Sequence, residues 1–441
     1  MFIRILLIIS LILGNGFFNK VQAQDENSSQ PIPGRYIIKF KDSNGTASEK
    51  ASGLEKKHGL KAEHIYNNGF KGANVIVPPG KEKDLANDPD VEKVIQDFTV
   101  YALDRDNNND DSHSQLPEAF AMSFGSMTSG TSNAKQIIPT GIKWVGADLN
   151  TTNEGTGVKV AVLDTGISFS HPDLMVNIPL SRDFSGDGTS GNDNNTSNGV
   201  GGHGTHVAGV IAALNNTIGV LGVGSSIDLV SVKVLSRTGS GSFGSIIAGL
   251  DYVTANANLI GVANLSLGAT GGTNPSQSFI DVSNLLRQAV QRAVNAGVIV
   301  VVAAGNSAVD VTAYNAVPAM YPEVFSVSAV DDRDGVQGND TWAYFSNYGT
   351  EVDIIAPGVN ILSTAIGGGT SSLSGTSFSS PHVAGTIGLY IARNGRPTSG
   401  DERLLGSILS AISKPRTTLL PGEPGDGVIE PSCYANGPSL Q

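Results

Sequence analysis

From residue 157 onward, the chain alternates between short apolar runs and longer stretches with helical periodicity. The apolar runs are nearly continuous, which is typical of strands that are buried on both faces of a sheet. Predicted strands occupy residues 158–163, 229–235, 259–267, 298–304 and 324–330, and predicted helices occupy 206–214, 245–255 and 279–295. This alternation predicts an α/β fold, a doubly wound parallel sheet with helices on both faces.

The section before this region has a different, more charged pattern. It contains a predicted strand at 35–40, a polar helix at 48–58 and further strands at 73–77 and 91–95. The order predicts a small α+β domain over residues 34–103, separate from the larger sheet. Residues 104–133 are rich in Asp, Asn, Ser and Gly, and this composition predicts a flexible linker that is open to proteolysis.

The first 23 residues carry Arg4, an apolar run at 5–13 and a small-residue ending, Val21-Gln22-Ala23. This pattern predicts a signal peptide that is removed after Ala23, so we expect a secreted, extracellular product. A membrane anchor would need about 20 apolar residues, and Gly14-Asn15-Gly16 interrupts this run. No later stretch is long and apolar enough to span a membrane.

Composition narrows the possible partners. The formal net charge of −12 makes nucleic acids and anionic membranes poor partners, and we expect neither. The only cysteine of the 441 residues is Cys433, so no disulfide can form within the chain. A secreted protein without disulfides must be stabilised by packing or by bound ions.

Four polar residues stand at the ends of predicted elements. Asp164 follows the first strand, His203 opens a helix and Ser377 precedes the apolar run at 383–391. A serine hydroxyl becomes a strong nucleophile when a base removes its proton, and an imidazole base needs a carboxylate to fix its tautomer. Asn306 follows a further strand and can donate to a tetrahedral oxyanion, alongside the backbone N–H of Ser377. Together these residues predict acyl-transfer chemistry.

Each of these residues also has a plainer interpretation. Serines at helix starts are usually N-caps, and Asp164 before Thr-Gly fits a turn. His203 and His206 have a spacing compatible with metal binding, but no H-E-x-x-H pattern or carboxylate partner accompanies them, so we do not expect zinc. Asn306 could be a turn residue with left-handed backbone. Each of these alternatives could explain one residue, but together they do not explain why all four residue types occur in one chain.

These motifs resemble those of the subtilisin-like serine proteases, the subtilases, through nearly all of residues 134–395. The resemblance implies that Asp164 orients His203, that His203 is the general base and acid, and that Ser377 attacks. It also implies that Asn306 donates to the oxyanion, and that residues 34–103 are an inhibitor-like propeptide that assists folding and is cleaved off. The order Asp, His, Ser excludes an α/β-hydrolase, whose order is Ser, acid, His.

The resemblance also implies a substrate site. Ser266-Leu267-Gly268 resembles the backbone segment that pairs with the substrate as an added strand, a mode that accepts extended peptides. The apolar wall of the pocket for the residue four positions before the cut corresponds to Leu235, Phe243, Ile246 and Leu267. We therefore expect this pocket to prefer a large apolar residue. The sequence says less about the specificity of the primary pocket.

A calcium site is implied by the same resemblance. The family's tight site corresponds to the side chains of Asp173 and Asn216, with Gln136 as a further ligand. The carbonyl oxygens of Leu214, Ile218 and Val220 complete the implied set. All are oxygen ligands, as a hard cation requires. A polar surface turn is the alternative interpretation of this loop.

Together these observations predict a secreted, calcium-stabilised serine endopeptidase that is made as a self-processing proenzyme. Its expected partners are protein or peptide substrates and its own propeptide, and we expect a monomer. The predicted divisions are a signal peptide at 1–23, a propeptide at 34–103, a linker at 104–133, a catalytic domain at 134–415 with a closing helix at 403–412, and a tail at 416–441. Two alternatives stay open at this point, a non-enzymatic binding protein with this fold and an esterase with the same triad.

Overall fold

The computed structural model describes residues 29–68, 70–103, 135–149, 154–193, 202–396, 402–416, 418–424 and 433–435. The predicted signal peptide and linker lie outside the described residues. The described residues form a small N-terminal module and a large α/β domain.

The N-terminal module is an α+β unit, as predicted. Its elements are β1 (Pro31–Phe40), α1 (Ala47–His58), β2 (Lys61–Tyr66), β3 (Gly72–Ile76), α2 (Glu82–Ala86) and β4 (Val91–Ala102). Helix α1 begins where Thr46 and Glu49 cap each other's backbone N–H groups, and it ends at Gly59 with a φ of 68°. The sequence pattern missed β2 and α2, and it ended β4 seven residues too early.

The large domain contains the predicted apolar strands together with several short ones. The strands are β5 (Lys159–Asp164), β6 (Arg182–Asp183), β7 (Asp228–Lys233), β8 (Ser240–Ser242), β9 (Val262–Leu265), β10 (Leu267–Thr270), β11 (Ile299–Ala303), β12 (Ala316–Val317), β13 (Phe325–Asp331), β14 (Thr341–Trp342), β15 (Ile354–Pro357), β16 (Ile361–Ala365), β17 (Gly369–Leu373), β18 (Ser413–Pro415) and β19 (Cys433–Ala435). The apolar run predicted at 259–267 is divided between β9 and β10, which belong to different sheets.

The helices of the large domain separate these strands. They are α3 (Thr140–Trp144), α4 (His203–Ala212), α5 (Phe243–Ala255), α6 (Gln277–Asn295), α7 (Thr376–Asn394) and α8 (Glu402–Ile412). The predicted closing helix corresponds to α8. Helix α7 begins seven residues before the apolar run at 383–391, because its first turns are made of small polar residues that are themselves buried.

The central sheet runs in the order β6-β7-β5-β9-β11-β13-β15-β19-β18, with β14 paired to β13. The β14 and β18 pairings are antiparallel and the others are parallel. From β5 the chain first moves outward to β7 and then returns to β9 on the other side. This reversal creates a crevice at the carboxyl ends of β5 and β9, the usual place for a site in such sheets. Strand β19 shows that the predicted tail at 416–441 contributes to the sheet.

Two hydrophobic cores cover the two faces of this sheet. Along β5, Val160 and Val162 pack with α4 and α7, whereas Ala161 and Leu163 pack with α5 and α6. All four side chains are fully buried. Each fully buried valine or leucine contributes about 1.5–3 kcal/mol, so the continuous apolar pattern reflects burial on both faces. The predicted doubly wound architecture is confirmed.

A second sheet joins the N-terminal module to the large domain. Its order is β12-β10-β4-β1-β3-β2, and β8 pairs with residues 99–101 of β4. The Tyr66 hydroxyl donates to the Gly244 carbonyl at 3.0 Å across this junction, and the Phe98 and Phe279 rings meet edge to face. No helix among the described residues is long and apolar enough to cross a membrane.

Candidate active site

The four polar residues singled out by the sequence stand at the same edge of the sheet. Asp164 is the last residue of β5, and His203 is the first residue of α4. Ser377 is the second residue of α7, and Asn306 follows β11 by three positions. Because the strands are parallel, their carboxyl ends meet at one edge, which brings these residues to the crevice.

Asp164 and His203 form a buried pair. His203 Nδ1 lies 2.8 Å from Asp164 Oδ1 and 2.9 Å from Oδ2, and neither side chain is exposed. The carboxylate is an acceptor, so Nδ1 carries the proton and Nε2 is the basic nitrogen of the neutral ring. The His203 ring packs against Phe378, the residue after Ser377, with 5.3 Å between ring centroids. This contact places the His203 ring beside the first turn of α7.

A carbonyl group of the N-terminal module lies between Ser377 and Asn306. The Leu103 carbonyl oxygen is 2.5 Å from Ser377 Oγ and 2.6 Å from Asn306 Nδ2. Leu103 belongs to the segment that follows β4, 274 residues away in the sequence. Ser377 Oγ also lies 3.1 Å from the Ser266 carbonyl oxygen. The predicted nucleophile and the predicted oxyanion donor therefore both contact the Leu103 carbonyl oxygen.

The Asn306 amide is held in one orientation by Thr376. The backbone N–H and the hydroxyl of Thr376 both donate to Asn306 Oδ1, at 2.9 and 2.8 Å. The same hydroxyl accepts from the Gly305 N–H at 3.0 Å. Since both donors reach Oδ1, the donating Nδ2 faces the Leu103 carbonyl. Sequence reasoning missed Thr376, because its hydroxyl acts on a residue that is distant in the sequence.

The end of β4 lies between two strands of the large domain. Ala102 and Tyr101 pair antiparallel with Leu267 and Gly268, and the Leu103 N–H donates to the Ser266 carbonyl at 3.3 Å. On its other side, β4 pairs with β8, and Ala102 N–H donates to Gly239. Ser266-Leu267-Gly268 thus pairs with an extended strand, here the chain's own. The contribution of β8 was not predicted.

The apolar residues predicted to form a pocket belong to one hydrophobic cluster, which also contains Val100, three positions before Leu103. Val100 is 1% exposed and shares one hydrophobic cluster with four fully buried residues, Leu235, Phe243, Ile246 and Leu267. Leu103 lines a neighbouring cavity with Gly268, Ala304 and other small residues. A Cβ atom at Gly268 would lie 3.2 Å from Leu103 Cδ1, so glycine leaves room for this side chain.

The implied calcium ligands also come together. Asp173 is buried and accepts from Asn216 Nδ2 at 2.7 Å and from the Val220 N–H at 2.9 Å. Gln136 Nε2 lies 2.5 Å from the Leu214 carbonyl oxygen and 3.0 Å from that of Val220. The Ile218 N–H donates to Asn216 Oδ1 at 2.7 Å in the same loop.

This set of donors fits a hard cation. It offers one carboxylate, two side-chain amides and backbone carbonyls, and a half-turn of the Gln136 amide would replace Nε2 by Oε1. Burial raises the pKa of the Asp173 carboxyl although the Val220 N–H and Asn216 oppose the shift, and a bound cation would offset the buried negative charge. No three His, Cys, Asp or Glu side chains gather as a metal site among the described residues. The donor set described above contains a single carboxylate, Asp173, so it does not meet that criterion.

His206 is buried and contacts a backbone carbonyl and an aromatic ring. Burial lowers the pKa of His206 to about 3, and its Nε2 contacts the Ser371 carbonyl at 3.0 Å. The Phe378 ring packs against it at 4.6 Å between centroids. These contacts account for His206 without a metal ion.

The chain is similar to known proteins in sequence and in fold. The sequence model of the subtilase family matches residues 155–411. The chain is 46% identical over 304 residues to a thermostable alkaline protease of Halalkalibacterium halodurans, which covers 68% of this chain and 72% of the relative. It is 48% identical over 261 residues to subtilisin Savinase of Lederbergia lenta, which covers 59% and 86%. A crystal structure of a cold adapted subtilisin-like serine proteinase superposes with a TM-score of 0.52 and 30% identity, covering 69% of this chain and 99% of that one.

Proposed function

The chain belongs to the subtilase family of serine endopeptidases, and on that premise we propose that it is a secreted endopeptidase that cleaves itself after Leu103. Family membership favours an endopeptidase over the binding protein and the esterase considered above. The single observation that supports self-cleavage is the position of the Leu103 carbonyl oxygen, which lies 2.5 Å from Ser377 Oγ and 2.6 Å from Asn306 Nδ2.

These positions support the following reaction. Ser377 Oγ attacks the Leu103 carbonyl carbon while His203 Nε2 takes the hydroxyl proton, and Asp164 stabilises the imidazolium that forms. The carbonyl oxygen becomes an oxyanion that accepts from Asn306 Nδ2 and the Ser377 N–H. His203 then gives the proton to the departing amine as the C–N bond breaks. Water, activated by the same imidazole, hydrolyses the acyl-enzyme and regenerates Ser377.

External substrates would bind as β4 does. Strand addition between β8 and β10 uses backbone hydrogen bonds, so any extended peptide can form them and selectivity comes from the pockets. The pocket around Val100 favours an apolar residue three positions before the residue at the cut. The cavity beside Leu103 favours an apolar residue of similar size. After cleavage, the N-terminal module would remain as an inhibitor until it dissociates.

Calcium would act on stability. The residues that would hold it are Asp173, Asn216, Gln136 and the carbonyls of Leu214, Ile218 and Val220. When bound, the ion would tie the segment at Gln136 to the loop after α4, as a cross-link in a chain without disulfides. Gln136 already contacts this loop while Leu103 lies at Ser377. We therefore expect the uncut precursor to bind calcium as well.

The test compares the parent with Ser377→Ala and with a matched control, Ser379→Ala, expressed where no other protease is present. Mass spectrometry should find a fragment ending at Leu103 in the parent and in Ser379→Ala. Ser377→Ala should keep the bond after Leu103 intact. A fragment ending at Leu103 in the Ser377→Ala protein would refute self-cleavage. Secretion is tested by the N-terminus of the exported Ser377→Ala protein, which should follow Ala23.

A further inference from the structure

Asp193 is a buried carboxylate next to the Asp164–His203 pair. The proposed reaction does not use Asp193. It is 3% exposed, and it lies ten residues before His203. Its Oδ2 accepts from the Thr205 hydroxyl at 2.9 Å and from the Thr165 hydroxyl at 3.3 Å. Thr165 follows Asp164 in the sequence, and Thr205 is two residues after His203. One carboxylate oxygen therefore contacts both elements that carry the pair.

These contacts set the direction of the two hydroxyl groups. The Thr165 hydroxyl accepts the Gly204 N–H at 3.0 Å, and the Thr205 hydroxyl accepts the Ser168 N–H at 3.0 Å. A carboxylate can only accept, so each hydroxyl must point its single proton at Asp193 and keep a lone pair for the amide. Without Asp193, either proton could rotate elsewhere and the amides would lose their oriented acceptors.

The Gly204 N–H is a group that needs such an acceptor. It belongs to the first turn of α4, whose N-cap residue, Gly202, supplies no side-chain hydrogen bond. The Thr165 hydroxyl caps this turn from the end of β5. The Thr165 N–H donates to Asp164 Oδ1 at 2.6 Å. A single threonine thus binds the backbone beside His203 and the carboxylate that orients His203.

We propose that Asp193 is a positioning residue for the reaction, which holds Asp164 and His203 in register through Thr165 and Thr205 and favours the imidazolium by its negative charge. This inference rests on the proposed function of the pair. The other ionisable groups nearby are Lys233, His206 and Asp187. The Lys233 ammonium donates to the Thr165 carbonyl at 2.6 Å and lies 3.2 Å from Asp187.

Asp193 is a charged carboxylate at neutral and higher pH. Burial raises the pKa of Asp193 to about 6, against the opposing effects of the Thr205 hydroxyl and of Lys233. Above that pH, a carboxylate beside the Asp164–His203 pair stabilises a positive imidazole. Removing the charge should therefore shift the ascending limb of the pH–rate profile to lower pH. A loss of folded enzyme would change the amount of activity and leave the position of the limb unchanged.

The experiment measures kcat, KM and the pH profile of the mature enzyme, normalised by active-site titration with a serine-acylating probe. Asp193→Ala should lower kcat about tenfold to a hundredfold with little change in KM, because misplaced groups slow the chemical step. Asp193→Asn keeps an acceptor oxygen for both hydroxyls, so it should retain more of kcat but move the limb to lower pH. Thr165→Val should reproduce the kcat loss if Asp193→Ala does not fold.

The control is Asp187→Asn, which removes a carboxylate near Lys233 and contacts neither threonine. It should keep the parental kcat. The proposal is overturned if Asp193→Ala keeps the parental kcat per titrated site. If Asp193→Ala does not fold, the same result in Thr165→Val overturns it. The proposal is also overturned if the ascending limb of the pH–rate profile of Asp193→Asn lies at the same pH as that of the parent. A parent that the probe does not titrate would instead refute the proposed function, so the two failures are distinguishable.

Discussion

Replacing Asp97 by asparagine should remove a pH dependence from the docking of the N-terminal module onto the large domain. Asp97 is fully buried at this junction. Its Oδ1 accepts from the Gly244 N–H at 3.2 Å, in the first turn of α5, and its Oδ2 accepts from Asn74 Nδ2 at 2.9 Å. Burial raises the pKa of Asp97 to about 6, although the Ser242 hydroxyl and the Gly244 N–H oppose the shift.

The magnitude follows from proton linkage. An undocked module exposes Asp97 to water, where a pKa of 3.8 is expected, whereas the docked value is about 6. Because the docked value is higher, docking is strongest below pH 3.8 and weakens as the pH rises through 6. Linkage between these two values makes the dissociation constant about tenfold larger at pH 8 than at pH 5, or about 1.4 kcal/mol. Docking at pH 5 should take up most of one proton at Asp97.

His64 opposes this effect. Burial at the same junction lowers the pKa of His64, so its protonation weakens docking as the pH falls through 6.5. The informative quantity is therefore the difference between the parent and Asp97→Asn, with His64 present in both. Calorimetric titration of the module into the enzyme, in buffers of different ionisation enthalpy, counts the protons taken up. Equal proton uptake by the two modules at pH 5 would refute the reasoning.

Three further predictions concern the calcium loop and the docked module. Chelator should shorten the thermal half-life of the parent but barely affect Asp173→Asn, since calcium at 100 times its Kd stabilises by about 2.7 kcal/mol; equal half-lives of the parent with and without chelator would contradict the site. Val100→Asp should slow the appearance of the fragment ending at Leu103 at least about tenfold, because it buries a charge, and cleavage at the parental rate would count against the pocket. Tyr66→Phe removes the bond to Gly244 and should weaken docking about fivefold, or about 1 kcal/mol, measured by calorimetry at pH 7; unchanged affinity would show that this bond contributes nothing.

The sequence by itself determined the central sheet and the location of the site. Strands buried on both faces are nearly continuously apolar, so β5, β11 and β13 could be recognised from their apolar runs. Asp164 and His203 could be placed at element ends, because the apolar and helical patterns stop and start there. Resemblance to the subtilases then assigned their expected roles.

Only the tertiary structure decided which groups meet at that site. Strand β8 is Ser240–Ser242, a short polar segment whose pairing with β4 uses backbone groups that every residue carries, so its sequence holds no signal. Likewise, nothing in the sequence near Asp193 indicates that two threonine hydroxyls will reach it from separate elements. Apolar burial is encoded in local periodicity. Hydrogen bonds between distant segments depend on where the folded backbone places them, and that physical difference separates what was predicted from what was not.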